Sequence, residues 1–332
     1  MNVLIVHNPV ADLACLDDAD VLVQTRAVGD ALRVLGHEYR IRPWPEDMKH
    51  ARGGIRVKAG DVVFNLVESI QGSGRTVHLV PSLLEELGAA CTGGSSRALL
   101  HSTNKLLAKE VLAQHGLPTP AWLDRQDRGN ARPPGRFIVK SVWEHGSFGL
   151  DVDNVVLVSS RVRLLAEMKI LQERLGGECF AEEYVFGREF NLALVEQDGR
   201  PLVLAPAEIL FTGHPQDERR VVGFRAKWLE QSREYRDTKR SLEFPEADGP
   251  LLRRLAMIAV QCWDAFALSG YARVDLRIDA KDRPWIIDVN VNPCLSPDAG
   301  FQASCAASGL SFAEVVDLLL QAAVSKKVCR SS

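Results

Sequence analysis

The stretch Arg273–Asn290, RVDLRIDAKDRPWIIDVN, brings acids, bases and an amide together at strand spacing. Its first half alternates strictly, with Arg273, Asp275 and Arg277 on one face and Val274, Leu276 and Ile278 on the other. The second half sets Trp285, Ile287 and Val289 against Asp288 and Asn290. With a turn at Ala280–Arg283, Val274 faces Val289, Leu276 faces Ile287 and Ile278 faces Trp285. The same register places Asp275 across from Asp288 and Arg273 across from Asn290. Two carboxylates about 5 Å apart repel by roughly 3 kcal/mol at an effective dielectric near 20. Such a pair takes up a proton, holds a cation between its members, or lies on a solvated face screened by Arg273 and Arg277. Two aspartates and an asparagine offer only oxygen ligands, which suit Mg2+ or Mn2+ and not zinc.

A ribbon of this kind needs a frame, and 332 residues are chain enough for two or three domains. With 46% hydrophobic and 25% charged residues, the chain is neither disordered nor collagen-like. A formal net charge of −3 lacks the positive excess on which nucleic-acid binding rests. No apolar run approaches the roughly 20 residues of a membrane span, and the opening MNVLIVHNP has neither the basic region nor the cleavage site of a signal peptide. These features predict a cytoplasmic protein. Its seven cysteines are scattered and include no C-x-x-C, which argues against a disulfide framework and a cysteine zinc site.

The first ninety residues alternate strand and helix: a strand at Val3–His7, a helix from about Ala19 to Leu35, strands at Tyr39–Ile41 and Val62–Val67, and a helix from about Arg75 to Leu87. The run Cys91–Ser96, CTGGSS, is a Gly/Ser-rich break and a candidate boundary. A helix over Asn104–His115 follows, then an Arg/Gly/Pro loop at Arg125–Arg136, strands at Phe137–Val142 and Val155–Val158, and a helix from Arg161 to Leu175. Strands are then expected at Cys179–Val185, Glu189–Val195, Pro201–Leu210 and Val221–Trp228, with Asp198-Gly199 as a hairpin turn. Helices from Pro250 to Leu268 and from Ser311, where Ser311 and Glu314 form a capping-box pattern, complete the reading.

Five segments, in order, resemble the ATP-grasp superfamily and within it the D-alanine–D-alanine ligase group. They are NKLLAKEVLAQHGLPTP (Asn104–Pro120), FIVKSVWEHGSFG (Phe137–Gly149), EEYVFGREF (Glu182–Phe190), RAKW (Arg225–Trp228) and RVDLRI with IIDVNVNP (Arg273–Pro293). The resemblance implies an α/β (α+β) chain with the ATP-grasp fold. An N-terminal parallel α/β domain (1–94) would precede two α+β subdomains, 95–180 with a phosphate lid loop and 181–332 with a metal site, sandwiching ATP.

It also implies residue roles. Asp275, Asp288 and Asn290 occupy the magnesium positions, with room for two ions (Mg2+ or Mn2+), and Asp288 stands where the family pattern more often has glutamate. Lys105 and Lys140 match lysines that meet the phosphates of ATP. The loop His145–Gly149, with Ser147, would close over them. Glu182, Glu183, Tyr184 and Val185 match the linker that holds adenine, and Glu189 matches the carboxylate on the ribose. Arg273, and Lys227 in an apolar setting, would stabilise the phosphoryl group and the developing oxyanion. No G-x-G-x-x-G or G-x-x-x-x-G-K-[ST] motif competes with this reading, since Val77 stands where Gly72-Ser73-Gly74 would need a third glycine.

The family chemistry implied is ATP-dependent ligation of a small-molecule carboxylate to an amine through an acyl phosphate, with amino acids or small peptides as substrates and a homodimer as the assembly. The substrate motifs depart from the group. No His-Gly pair is present, and Glu68 lies near its place; Pro293-Cys294-Leu295-Ser296 replaces Pro-Gly-Met-Thr; Ala299-Gly300 replaces a Ser-Leu pair. Glu68, Cys294 and Ser296, with the region His7–Asp18, are therefore candidate substrate residues, and the product is expected to differ from D-alanyl-D-alanine. The Arg-rich stretch Gly213–Tyr235 reads as a flap or an exposed loop. A silent nucleotide-binding regulatory module and an ATP-grasp kinase acting on a hydroxyl stay open as alternatives.

Overall fold

A computed structural model of the chain describes residues 1–10, 16–45, 47–58, 60–143, 149–212, 219–229 and 231–331. The first sheet is parallel. It is built from β1 (Asn2–His7), α1 (Leu16–Val34), β2 (Glu38–Pro43), α2 (Met48–Gly54), β3 (Val62–Leu66), α3 (Leu79–Glu86) and β4 (Ala90–Cys91), in the strand order β2-β1-β3-β4. Alternation along β1 decides both faces. Val3 and Ile5 pack with Val28 and Leu32 of α1, while Leu4 and Val6 pack with Trp44, Ala51 of α2 and Leu84 of α3.

Next come α4 (Ser96–Thr103), α5 (Lys105–Gln114), β5 (Trp122–Asp124), β6 (Gly135–Ser141), β7 (Val155–Val158), α6 (Arg161–Leu171) and β8 (Cys179–Glu183). The four strands form an antiparallel sheet in the order β5-β8-β6-β7. One face of it, with Phe137, Val139 and Ala181, packs on Leu164 and Met168 of α6. The helices α4 and α5 do not join that core. Ala98, Leu99, Ala108, Val111 and Leu112 pack instead with the strands of a third sheet.

The third sheet comprises β9 (Arg188–Gln197), β10 (Arg200–Val203), β11 (Ala207–Phe211), β12 (Thr238–Ser241), β13 (Tyr271–Ile278) and β14 (Pro284–Val291), in the order β12-β11-β9-β13-β14 with β10 on β9. Between its strands lie α7 (Phe224–Trp228), α8 (Arg233–Asp237) and α9 (Gly249–Ala265); α10 (Gly300–Ala307) and α11 (Phe312–Ser331) follow. Leu255, Ile258 and Trp263 of α9 cover one face of the sheet against Leu192, Val274 and Val289. The helix α11 returns to the first sheet, where Val316, Leu319 and Leu320 share a core with Ile5 and Phe64. Among the described residues no single helix is long and apolar enough to cross a membrane.

Several sequence expectations are corrected. The Arg75–Leu87 helix is a 3-10 turn at Gly74–Thr76 followed by α3. Gly74 sits so close to Trp143 O that a Cβ would lie 2.4 Å from it, which fixes the chain there before the helix begins. The single strand Pro201–Leu210 divides into β10 and β11 around Pro206, which has no N–H to give a ladder. Val221–Trp228 is not a strand; its second half is the helix α7, which follows the cap residue Gly223 and runs through Arg225-Ala226-Lys227. The CTGG segment is no loose break. Cys91–Gly94 is buried, and a Cβ on Gly93, at φ +79°, would meet Asn292 Oδ1 at 2.0 Å.

Candidate active site

The faces of the second and third sheets that carry Lys140 and Asp275 enclose a cavity of about 1170 Å³. The antiparallel register of β6 and β8 sets Ile138 opposite Glu182, with Lys140 two residues along on the same face, and all three line the cavity. Lys140 Nζ pairs with Glu182 Oε1, and Lys109 Nζ, from α5, pairs with Glu182 Oε2. Glu182 is 1% exposed and Lys109 3%. Burial pushes the Glu182 carboxyl up, but the ammonium groups of Lys109 and Lys140 overcome it and hold it below the usual carboxylate range.

On the facing wall, β13 lies between β9 and β14. Cross-strand pairing puts Asp275 beside Asn191 and Arg277 beside Glu189. The Asn191 amide donates to Asp275 Oδ1 at 2.8 Å. Arg273 donates to both oxygens of Asp275, Nε to Oδ1 at 2.7 Å and Nη2 to Oδ2 at 2.8 Å. Arg277, 5% exposed, donates twice to Glu189 Oε2, at 3.0 and 2.7 Å, and once to Val185 O at 3.0 Å. Across the ribbon Asp275 does stand opposite Asp288, and Lys105 Nζ reaches Asp288 Oδ1 at 2.8 Å.

The expected hairpin register holds from Arg273 to Asp275 and then breaks. Leu276 pairs with Ile286 rather than Ile287, and Ile278 pairs with Pro284 rather than Trp285. The reason is twofold. Asp279 closes the turn by accepting from the N–H groups of Lys281 and Arg283, and its own N–H donates to Arg283 O, which shortens the turn by one residue. A bulge at Ile287 then absorbs the offset. Ile286 goes into the core, whereas Ile287 and Asp288 both line the cavity. Ile286 is held on both sides of its peptide, its N–H donating to Pro118 O at 2.8 Å and its carbonyl accepting from Thr119 Oγ1 at 3.0 Å.

From the end of β8 the chain runs along the cavity as Glu183-Tyr184-Val185. The N–H groups of Glu183 and Tyr184 are taken by Ala121 O and Arg136 O. The Arg277 guanidinium lies over the Tyr184 ring, 5.1 Å from its centroid. Lys227 on α7 also lines the cavity, but its side chain is exposed to the solvent there, which corrects the apolar setting expected of it. Surrounding protein, then the Arg273 charge, lowers its pKa, and Asp275 and Asp288 oppose this. Open access to water makes that crowding count for less than true burial.

The far end of the cavity is built by α1 and the loop after β14. Ser296 Oγ donates to Asp20 Oδ1; Gln24 Nε2 and Cys294 Sγ donate to Asp20 Oδ2 at 3.1 and 3.2 Å. Gln24, 2% exposed, also donates to Glu68 Oε1 at 3.0 Å and accepts from the Leu295 N–H at 2.9 Å. Burial, then the charges of Glu68 and Asp20, push the Cys294 thiol well up, so it stays a protonated donor.

Of the residues singled out from sequence, Glu68, Lys105, Lys140, Glu182, Glu183, Tyr184, Val185, Glu189, Lys227, Arg273, Asp275, Asp288, Asn290, Cys294 and Ser296 all line this one cavity. Ser147 lies outside the described residues, as do most of its lid loop and part of the 213–235 flap. Asp20, Gln24, Lys109, Asn191 and Arg277 were not foreseen, because strand pairing and helix packing bring them in from distant parts of the chain. Arg277 alone carried a signal, its place on the polar face of β13.

The D-ala D-ala ligase C-terminus family matches residues 136–321, more than half of the chain. The chain belongs to this family. It is an ATP-grasp ligase of the kind that forms carbon–nitrogen bonds. Over 309 residues it is 26% identical to a D-alanine–D-alanine ligase of Synechococcus sp. (strain JA-3-3Ab), covering 92% of this chain and 89% of that one. An uncharacterized protein, y4sG, of Sinorhizobium fredii is 29% identical over 269 residues, 80% of this chain and 75% of that one. The structure of the D-alanine–D-alanine ligase from Bacillus anthracis complexed with ATP superposes with a TM-score of 0.71 at 18% identity, covering 99% of each chain, and bears out the ATP-grasp fold.

Proposed function

We propose that the protein joins a carboxylate to an amine at the expense of ATP, with amino acids or small peptides as substrates and a product other than D-alanyl-D-alanine. The observation that carries this reading is the convergence of the phosphate-type lysines Lys105 and Lys140 and the oxygen donors Asp275, Asp288 and Asn290 on one cavity. In this reading Lys140 and Lys105 meet the triphosphate, and the Val185 N–H, which donates to no acceptor among the described residues, faces adenine. Glu189 receives the ribose through Oε1, since Arg277 occupies Oε2.

The donor set fits a hard divalent cation such as Mg2+. Among the described residues no cluster of three or more His, Cys, Asp or Glu side chains is poised for a metal, so the case rests on two carboxylates and one amide. Asp275, Asp288 and Asn290 would hold the ion or ions, which when bound neutralise the triphosphate. The residues of the chain do the rest. Arg273 and Lys227 fix positive charge where negative charge develops as the γ-phosphoryl group passes to the donor carboxylate. The acyl phosphate so formed has a phosphate leaving group, and attack by the amine on its carbonyl gives the amide, ADP and phosphate. Asp20 and Glu68 offer carboxylates to a substrate ammonium.

Incubation with ATP, Mg2+ and pairs from an amino-acid and dipeptide panel tests this reading. Phosphate release that requires both members of a pair, with an amide product by mass spectrometry, is the expected result. Phosphorylation of a hydroxyl with no amine requirement would assign a kinase, and ATP binding without turnover on any pair would assign a regulatory module.

A further inference from the structure

The helix α5 carries two lysines one turn apart, and carboxylates from two different sheets take them. Lys105 pairs with Asp288 of β14 and Lys109 with Glu182 of β8. The helix is rooted in the third sheet's core through Ala108, Val111 and Leu112. Its first turn is tied to the second sheet, because the Lys105 N–H donates to Val142 O at 3.0 Å, two residues beyond Lys140. Asn104 caps that turn, accepting from the N–H groups of Leu106 and Leu107 at 3.0 and 3.1 Å. Lys109 is not part of the cavity lining. Its ammonium also donates to Thr119 Oγ1 at 2.7 Å, and Thr119 in turn donates to the carbonyl of Ile286 beside the β14 bulge.

We propose that Lys109 is a positioning residue that acts through Glu182 on Lys140; the proposal rests on the nucleotide reading above. Glu182 divides one negative charge between two ammonium groups, so the triad keeps a net positive charge, and Lys140, at the cavity surface, presents it to an anion. Without Lys109 the carboxylate neutralises Lys140 alone and draws it back toward β8. The buried lysine thus sets how much positive charge the cavity shows to a phosphate it never touches.

The test compares Lys109→Met and Lys109→Arg in the wild-type and Lys140→Met backgrounds. ATP and adenosine binding are read by titration calorimetry, with folding followed by circular dichroism. Lys109→Met is expected to weaken ATP binding about tenfold or more while adenosine changes less than about twofold, and the ATP effect is expected to vanish in the Lys140→Met background. Lys109→Arg keeps the charge but crowds Glu182 with a planar fork, and is expected to weaken ATP about threefold. It also decides the matter if the methionine variant does not fold. ATP affinity unchanged in the folded variant, equal loss of ATP and adenosine, or the same loss without Lys140 would each overturn the proposal. A wild-type chain that binds adenosine but gains nothing from the phosphates overturns the nucleotide reading itself, and the proposal with it.

Discussion

At the end of the cavity walled by β6, β8, β9 and β13, acids meet bases: Glu182 with Lys109 and Lys140, Asp288 with Lys105, Asp275 with Arg273, and Glu189 with Arg277. At the end built by α1 and the loop after β14, Asp20 is held by the neutral donors Gln24, Cys294 and Ser296. The contrast follows from the ligands proposed. A polyphosphate needs several cations waiting in one place, and fixed carboxylates keep them from driving one another apart. A small substrate with an ammonium group needs the opposite, a carboxylate held in place with charge left to give.

Breaking the charge-matched end should have the largest effect. Asp288→Ala removes an oxygen donor and leaves Lys105 without its partner; phosphate release at saturating substrate is expected to fall at least about 10³-fold. Next comes Glu182→Gln. Leaving Lys109 buried without its countercharge should destabilise the fold by about 3 kcal/mol or more in urea denaturation at pH 7. The pH dependence sharpens the point. A carboxyl held below its ordinary range contributes stability above about pH 4.5 and loses it as pH falls further, so wild-type stability should decline in acid more steeply than that of the glutamine variant.

At the other end the effects should be smaller and should fall on the substrates. Asp20→Asn is expected to raise KM for the ammonium-bearing substrate about tenfold while KM for ATP stays within about twofold. Glu68→Gln should act in the same direction, and an unchanged substrate KM in both variants would remove the acidic end from recognition. The smallest effect belongs to Cys294→Ser, which keeps a donor for Asp20 in nearly the same volume; steady-state constants within about threefold of wild type are expected.

The charge-matched end was largely legible because its motifs are local. Lys140, Glu182–Glu189 and the Asp275/Asp288 pair lie on strands whose alternation announces which face is polar. What the sequence hid were facts of pairing and packing. Ile286-Ile287 are two identical residues in a row, and alternation alone cannot tell which enters the core; the shorter turn closed by Asp279 decides it. The helix α4 was lost because its cap, Ser95, lies inside a Gly/Ser run that reads as a linker. Asp20 and Gln24 reach Cys294, Leu295 and Ser296 across about 270 residues of chain, as separations of 271, 274 and 276 attest. No local spacing encodes such a contact.

The return of α11 to the first sheet has a consequence for biosynthesis. Val3 and Ile5 leave the ribosome well before part of their apolar cover, from Val315 to Ala323. Until then one side of the earliest-made sheet stays greasy and sticky, a template for association with other nascent chains. The protein is in effect buttoned shut by α11, and a chaperone that shields the first sheet during translation would have most to do until that helix has left the exit tunnel.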